Sequence, residues 1–301
     1  MMRNRIVFSV ILFAAALLGV SCKKGDQPDP KPDPVKLYKV VSHRGGYSES
    51  SLPACCIQGL TYSHNIGCYA AECDIVITQD GRALVAHPDD NGKVNGLVPH
   101  SATLAQIRAA GKLKNGEQIP VIEDFVDWLI DPKKNSKGMK IWIDTKAWSN
   151  LDLTVQAINV AYAAIKAKDA CKYCEFIIPN SGDLFARVKN TDLYKEGKCM
   201  VGWMADGAAK LLAPTFFEPN TWHQTKYTAI IPGQDIVTPP FKVDDYFNAN
   251  VPLSIWCTSS QGTEKSKLLD VAIDYYPNKN FKAFFVNYPK AAIDIIKKAG
   301  Y

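Results

Sequence analysis

Apolar positions along this chain alternate between two spacings. From Lys39 onward, short strand-like runs are interleaved with stretches whose apolar residues recur at helical spacing. The pattern predicts strands at Lys39–Ser42, Ala70–Ile77, Ala83–His87, Lys140–Thr145, Glu175–Ile178, Lys198–Trp203, Ile230–Val237, Leu253–Cys257 and Ala283–Val286. Helices are predicted at Leu52–Tyr62, Leu104–Ala110, Ile122–Ile130, Leu153–Ala167 and Lys290–Lys298. In the longest of these, Val155, Ile158, Val160, Ala161 and Ile165 supply the apolar positions. Repeated strand–helix alternation calls for a parallel sheet covered by helices. Roughly eight strands in a chain of this length favour an irregular (β/α)8 TIM barrel over an open sheet. The irregularity lies early, because the Ala70–Ile77 and Ala83–His87 runs are too close together for a crossover helix.

The first residues follow a different pattern. Arg3 and Arg5 precede an apolar stretch from Ile6 to Val20. That stretch is shorter than the about 20 apolar residues of a membrane span and reads as the core of a secretory signal. Leu18-Gly19-Val20-Ser21-Cys22 follows and resembles the lipobox of bacterial lipoproteins, in which the cysteine is acylated and becomes the mature N-terminus. The plainer alternative is an ordinary signal cut nearby. Pro28, Pro30, Pro32 and Pro34, interleaved with Asp and Lys, then form a segment unable to bury apolar surface, so an extended tether is expected. The expected organisation is a lipoprotein signal over 1–22, a Pro-rich tether over 23–36 and one barrel domain over 37–301. Lipidation at Cys22 would anchor the domain to a membrane outside the cytoplasm, on the periplasmic face or the cell surface.

Charge and cysteine content narrow the picture. Setting aside Arg3 and Arg5 leaves 33 basic against 30 acidic residues, a net of +3 with no basic stripe, so no nucleic-acid partner is expected. With Cys22 lipidated, eight of the nine cysteines remain, an even number compatible with disulfides in an oxidising compartment. Cys171 and Cys174 form a C-x-x-C without a second such pair, which argues against a zinc ribbon and leaves a local disulfide or two thiols. Oligomeric state is not legible.

Barrel active sites lie at the C-terminal ends of the strands. His43-Arg44-Gly45-Gly46 ends the first predicted strand and His87 the third. Glu72 and Asp74, two residues apart, point to one face of the second strand while Cys73 points to the other, as a core thiol. Asp144 and Lys146 end the fourth with the same spacing. A single strand-end histidine is more often structural, but two histidines, three carboxylates, an arginine and a lysine on four strand ends form a constellation with chemistry.

These residues also carry a family resemblance. Val41-Ser42-His43-Arg44-Gly45, Ser48-Glu49-Ser50-Ser51-Leu52, Ala71-Glu72-Cys73-Asp74-Ile75-Val76-Ile77-Thr78-Gln79-Asp80-Gly81 and Leu84-Val85-Ala86-His87 together resemble the glycerophosphodiester phosphodiesterase family. Fainter similarity continues through Ile141-Trp142-Ile143-Asp144-Thr145-Lys146 and Ile255-Trp256-Cys257-Thr258. The resemblance implies hydrolysis of glycerophosphodiesters to glycerol 3-phosphate and an alcohol with one divalent ion, Ca²⁺ or Mg²⁺. By position it makes His43 and His87 the general acid and base, and Glu72, Asp74 and Asp144 the metal ligands. It places Arg44 and Lys146 on the substrate phosphate and Glu49 in the polar shell. It further implies attack by the substrate's own glycerol hydroxyl, followed by opening of a cyclic phosphate. Trp203, Trp256 and Tyr288 are candidate pocket residues, each with core packing as the alternative.

The sequence departs from the family in four places. Asp144 stands where Glu is usual, one methylene shorter. Ser48-Glu49-Ser50-Ser51 replaces Pro-Glu-Asn-Thr, Pro88 follows His87 in place of Asp, and Asn287-Tyr288-Pro289 replaces Thr-Asp-x-Pro. Two alternatives therefore stand beside a glycerophosphodiesterase. One is a related phosphodiesterase acting on inositol or sphingoid head groups. The other is a non-catalytic lipoprotein that captures phosphate esters.

Overall fold

The computed structural model describes residues 36–146, 150–179, 182–205, 218–226, 243–256, 269 and 272–301. Its strands are β1 (Tyr38–Ser42), β2 (Cys68–Ile77), β3 (Ala83–Val85), β4 (Lys140–Thr145), β5 (Cys174–Ile178), β6 (Met200–Ala205), β7 (Thr221–Lys226), β8 (Leu253–Trp256) and β9 (Phe281–Val286). Eight of them run parallel in the order β1-β9-β8-β7-β6-β5-β4-β2, and pairing of β1 with β2 closes the barrel. The predicted α/β TIM barrel is the observed fold.

Two strands differ from expectation. The run expected over Ala83–His87 ends at Val85 and pairs antiparallel with the end of β2, Ile75 opposite Val85 and Ile77 opposite Ala83. It is a hairpin arm, not a barrel strand, because the short connection permits only a reversal. The barrel strand missing from the sequence pattern is β7, Thr-Trp-His-Gln-Thr-Lys, whose mostly polar side chains hide it from a hydrophobicity reading. The strand expected at 230–237 lies outside the described residues, as do Cys22 and Cys257.

The helices are α1 (Tyr47–Ser50), α2 (Ile57–Ile66), α3 (Leu104–Ala110), α4 (Ile122–Ile130), α5 (Leu151–Ala167), α6 (Gly182–Val188), α7 (Asp192–Glu196), α8 (Val243–Asn248) and α9 (Pro289–Lys298). None of the described helices is long and apolar enough to cross a membrane. Local chemistry sets their ends. At α3, the Thr103 hydroxyl accepts from the Gln106 N–H (3.2 Å) while the Gln106 side chain accepts from the Thr103 N–H (2.8 Å), a reciprocal cap. α2 begins five residues later than the predicted Leu52, since Ser51 and Cys55 adopt left-handed backbone (φ 61° and 58°) and Cys56 Sγ caps the helix at Gly59 N–H. In α4, Ile122, Phe125, Val126 and Leu129 make one buried stripe at helical spacing.

Strand alternation sorts side chains between two cores. Outward-facing Ala71, Cys73, Ile141, Ile143, Phe176 and Val201 pack under the helices. Trp203 belongs to this outer layer, fully buried with its ring 4.4 Å from that of Phe185. It is therefore a packing residue and not a pocket residue, because its position on β6 turns it away from the barrel axis. The inward face is filled by Trp142, Trp222 and Phe285, with Trp142 and Trp222 ring centroids 4.2 Å apart. Gly202 is required here, since a Cβ would stand 2.3 Å from the Trp222 ring. At the N-terminal ends of the strands, buried Glu175 accepts from Tyr69 Oη (2.7 Å) and pairs with Lys140 and Lys282 (2.8 Å each).

The cysteine pattern resolves into thiols. The seven described cysteines are free: Cys55, Cys56, Cys68, Cys73, Cys174 and Cys199 are buried and Cys171 is half-buried. The alternative of a Cys171–Cys174 disulfide is not realised, and burial in a packed outer core accounts for most of the cysteine content.

Candidate active site

Chain reversal directly after β1 starts the site. His43, Arg44 and Gly45 form one tight turn in which Arg44, Gly45 and Gly46 all have positive φ (49°, 73° and 76°). Glycine is needed at position 45, where a Cβ would stand 3.1 Å from the Gly59 backbone of α2. The turn folds Arg44 over the end of β2. Its backbone N–H donates to Glu72 Oε2 (2.7 Å) and its guanidinium Nε lies 3.2 Å from Asp74 Oδ2.

Strand register assembles the acidic cluster. Asp74 of β2 is the direct partner of Asp144 of β4, and Glu72 shares the inward face of β2 with Asp74. One oxygen of each carboxylate lies within 4.8 Å of the other two, and all three residues are buried. Asp144 thus reaches the cluster in spite of its shorter side chain. Lys146 Nζ bridges the two aspartates, 2.7 Å from Asp74 Oδ1 and 2.5 Å from Asp144 Oδ2. Among the described residues, Glu72 Oε1 and Asp144 Oδ1 are buried without a hydrogen-bond partner.

The charges in this cluster compete. Burial raises the Glu72 carboxyl well above its ordinary range, and the neighbouring Asp74 and Asp144 push it further. Asp144 is also raised, by burial first and then by Asp74, against the pull of Lys146. Asp74 is lowered: burial opposes this, but Lys146, Arg44 and His87 outweigh it. Two cations do not satisfy three buried carboxylates. An oxygen-preferring divalent ion fits the remaining unpartnered oxygens in both charge and ligand type.

The two histidines flank this cluster. His43 Nδ1 is 2.5 Å from Asn287 Oδ1, just beyond β9, and its Nε2 lies 4.0 Å from Glu72 Oε2. A proton on Nδ1 donated to Asn287 leaves Nε2 as the basic nitrogen facing the carboxylates. Burial, reinforced by Arg44, lowers the His43 pKa to about 4, with the Asn287 hydrogen bond acting in the opposite sense. His87 follows β3 and is half-buried. Burial lowers it too, as do Arg44 and Lys146, while Asp74 favours its charged form.

The other predicted residues divide. Trp256 stands beside His43 (ring centroids 6.3 Å) and Phe285 (5.7 Å), at the mouth. Tyr288 is half-buried at the N-cap of α9, immediately after Asn287. Glu49 accepts from the Tyr62 hydroxyl and from the Lys290 and Ala291 N–H groups, so its carboxylate caps α9 and pins the loop after β1. Asn287 itself was not among the predicted site residues, although the strand-end rule that found Asp144 also covers it. Beside Lys146, a cavity of about 780 Å³ is lined by Pro88, His100, Ile75, Leu153 and Thr154.

The closed barrel thus carries two imidazoles, an acidic triad and two cations at its C-terminal mouth. Solved glycerophosphodiester phosphodiesterases share this fold. One from Parabacteroides distasonis superposes with a TM-score of 0.66 at 17% identity, over 88% of this chain and 99% of its own. One from Thermotoga maritima gives 0.55 at 14% identity, over 86% and 98%. An Oleispira antarctica phosphodiesterase, in complex with the product sn-glycerol-3-phosphate, gives 0.54 at 15% identity, over 87% and 97%. No family model matches the sequence, and no curated protein matches it.

Proposed function

We propose that this chain is a metal-dependent phosphodiesterase that hydrolyses glycerophosphodiesters to glycerol 3-phosphate and an alcohol. The observation that carries the reading is the meeting of His43 with the Glu72–Asp74–Asp144 cluster at the mouth of a barrel of this kind. Glu72, Asp74 and Asp144 would hold one divalent ion, Ca²⁺ or Mg²⁺, both of which take oxygen ligands. Bound there, the ion supplies Lewis-acid neutralisation of phosphate oxygens.

The chain's own groups do the rest. Arg44 offers a planar hydrogen-bonding fork that matches a phosphate, and Lys146 offers a compact positive charge at the same face. His43, neutral at pH 7 and oriented by Asn287, takes a proton at Nε2. His87, in its protonated form, serves the opposite proton transfer, delivering that proton to the departing alkoxide. The cavity beside Lys146 offers room for the alcohol half of the substrate. Acylation of Cys22 would keep this chemistry at a membrane outside the cytoplasm; radiolabelled palmitate incorporation lost in Cys22→Ala checks that part.

The decisive experiment measures glycerol 3-phosphate released from glycerophosphocholine by the full chain in EDTA, Ca²⁺ or Mg²⁺. Turnover should require the metal and fall by about 100-fold or more in His43→Ala and His87→Ala. A folded protein with no turnover under any condition would overturn the reading and leave a phosphodiesterase for inositol or sphingoid head groups and a phosphate-ester-capturing protein as the two alternatives.

A further inference from the structure

Among the described residues, Cys55 is the one thiol hydrogen-bonded to the acidic cluster. Its Sγ lies 3.5 Å from Asp74 Oδ2, the same oxygen that Arg44 Nε approaches at 3.2 Å. The residue is 2% exposed, and its thiol donates to that carboxylate oxygen. Its backbone is held in the left-handed region at φ 58°, a conformation that a non-glycine residue adopts at a cost. The Cys55 N–H also donates to Arg44 O (3.2 Å), so one residue braces both Arg44 and Asp74. Nearby, Glu72 Oε1 and Asp144 Oδ1 are buried without hydrogen-bond partners among the described residues and belong to the same cluster.

We propose that Cys55 is a positioning residue for the cation site: its thiol fixes Asp74 and its backbone fixes Arg44, so that the unpartnered oxygens of the triad converge on one ion. This rests on the metal-site reading above. A carboxylate that ligates a metal is oriented by the hydrogen bonds it accepts, and losing such a partner typically costs 10- to 100-fold in affinity. The left-handed residue after Pro53-Ala54 leads the chain to the Cys56 N-cap of α2, while its own side chain contacts Asp74 of β2.

The test is calorimetric titration of the full chain with Mg²⁺ and Ca²⁺, alongside melting temperatures without metal. Cys55→Ser keeps a donor and should bind within about 3-fold of the parent, whereas Cys55→Ala should bind at least about 10-fold more weakly. Cys55→Gly removes the thiol and relieves the strained φ, so it should stay folded and still bind weakly. Parental affinity in Cys55→Ala and Cys55→Gly would overturn the proposal and make Cys55 a packing residue only. Failure of the parent protein to bind either ion would instead overturn the metal-site reading, and the role of Cys55 with it.

Discussion

Asn287, at the end of the last barrel strand, holds the Nδ1 edge of His43, at the end of the first, at 2.5 Å. The two residues are adjacent only because β1 pairs with β9 as the barrel closes. The partner is a neutral amide and brings no charge to stabilise an imidazolium, so burial and Arg44 dominate and His43 stays neutral down to about pH 4.

Replacing that amide by a carboxylate should reverse the balance. In Asn287→Asp the added negative charge favours protonated His43, so its pKa rises and the neutral fraction at mildly acidic pH falls. The acid limb of the kcat/KM profile should therefore move to higher pH, by about 1 unit or more. A pH–rate series on glycerophosphocholine checks this. An unmoved limb would show that His43 does not set it.

Glu175 forms the opposite pole of the barrel. It is buried, and Lys282 and Lys140 hold its carboxyl below the ordinary range against the effect of burial. Glu175→Gln leaves two lysines without a counter-charge and should cost about 3–5 kcal/mol, lowering the melting temperature on the order of 10 °C. The sign with pH follows from the lowered value. The parent's extra stability is fully present above the unfolded-state pKa of about 4.5 and is lost as pH falls through the folded value. The gap between parent and variant should thus narrow in acid, which thermal melts across that range measure.

Gln224 faces the barrel interior from β7, fully buried, and among the described residues neither of its amide atoms has a hydrogen-bond partner. An unsatisfied buried amide carries a desolvation penalty of about 1–3 kcal/mol. Gln224→Met, of similar volume, should therefore raise stability by about 1 kcal/mol or more, seen as a higher denaturant midpoint at unchanged slope. A lower midpoint would show that the amide is satisfied in solution.

The chain's local pattern was enough for the parallel barrel, for α3 and α4 to the residue, and for Glu72 and Asp74 on one face of β2, because all of these follow from spacing along a few consecutive residues. Strand-end placement likewise singled out His43, His87, Asp144 and Lys146. β7 escaped because its buried residues include His223 and Gln224, and hydrophobicity does not mark a polar strand inside a barrel. Trp203 is left between pocket and core by the sequence because an aromatic on a strand reads the same on either face until register fixes the direction.

Tertiary structure alone decided which residues from distant parts of the chain meet. Barrel closure set Asn287 against His43, parallel register set Asp74 beside Asp144, and the left-handed turn at Cys55 brought a thiol to Asp74. Sequence fixes the period of a strand, and therefore which side chains share a face. The partner across the sheet depends on register and closure, which are settled by packing of the whole barrel.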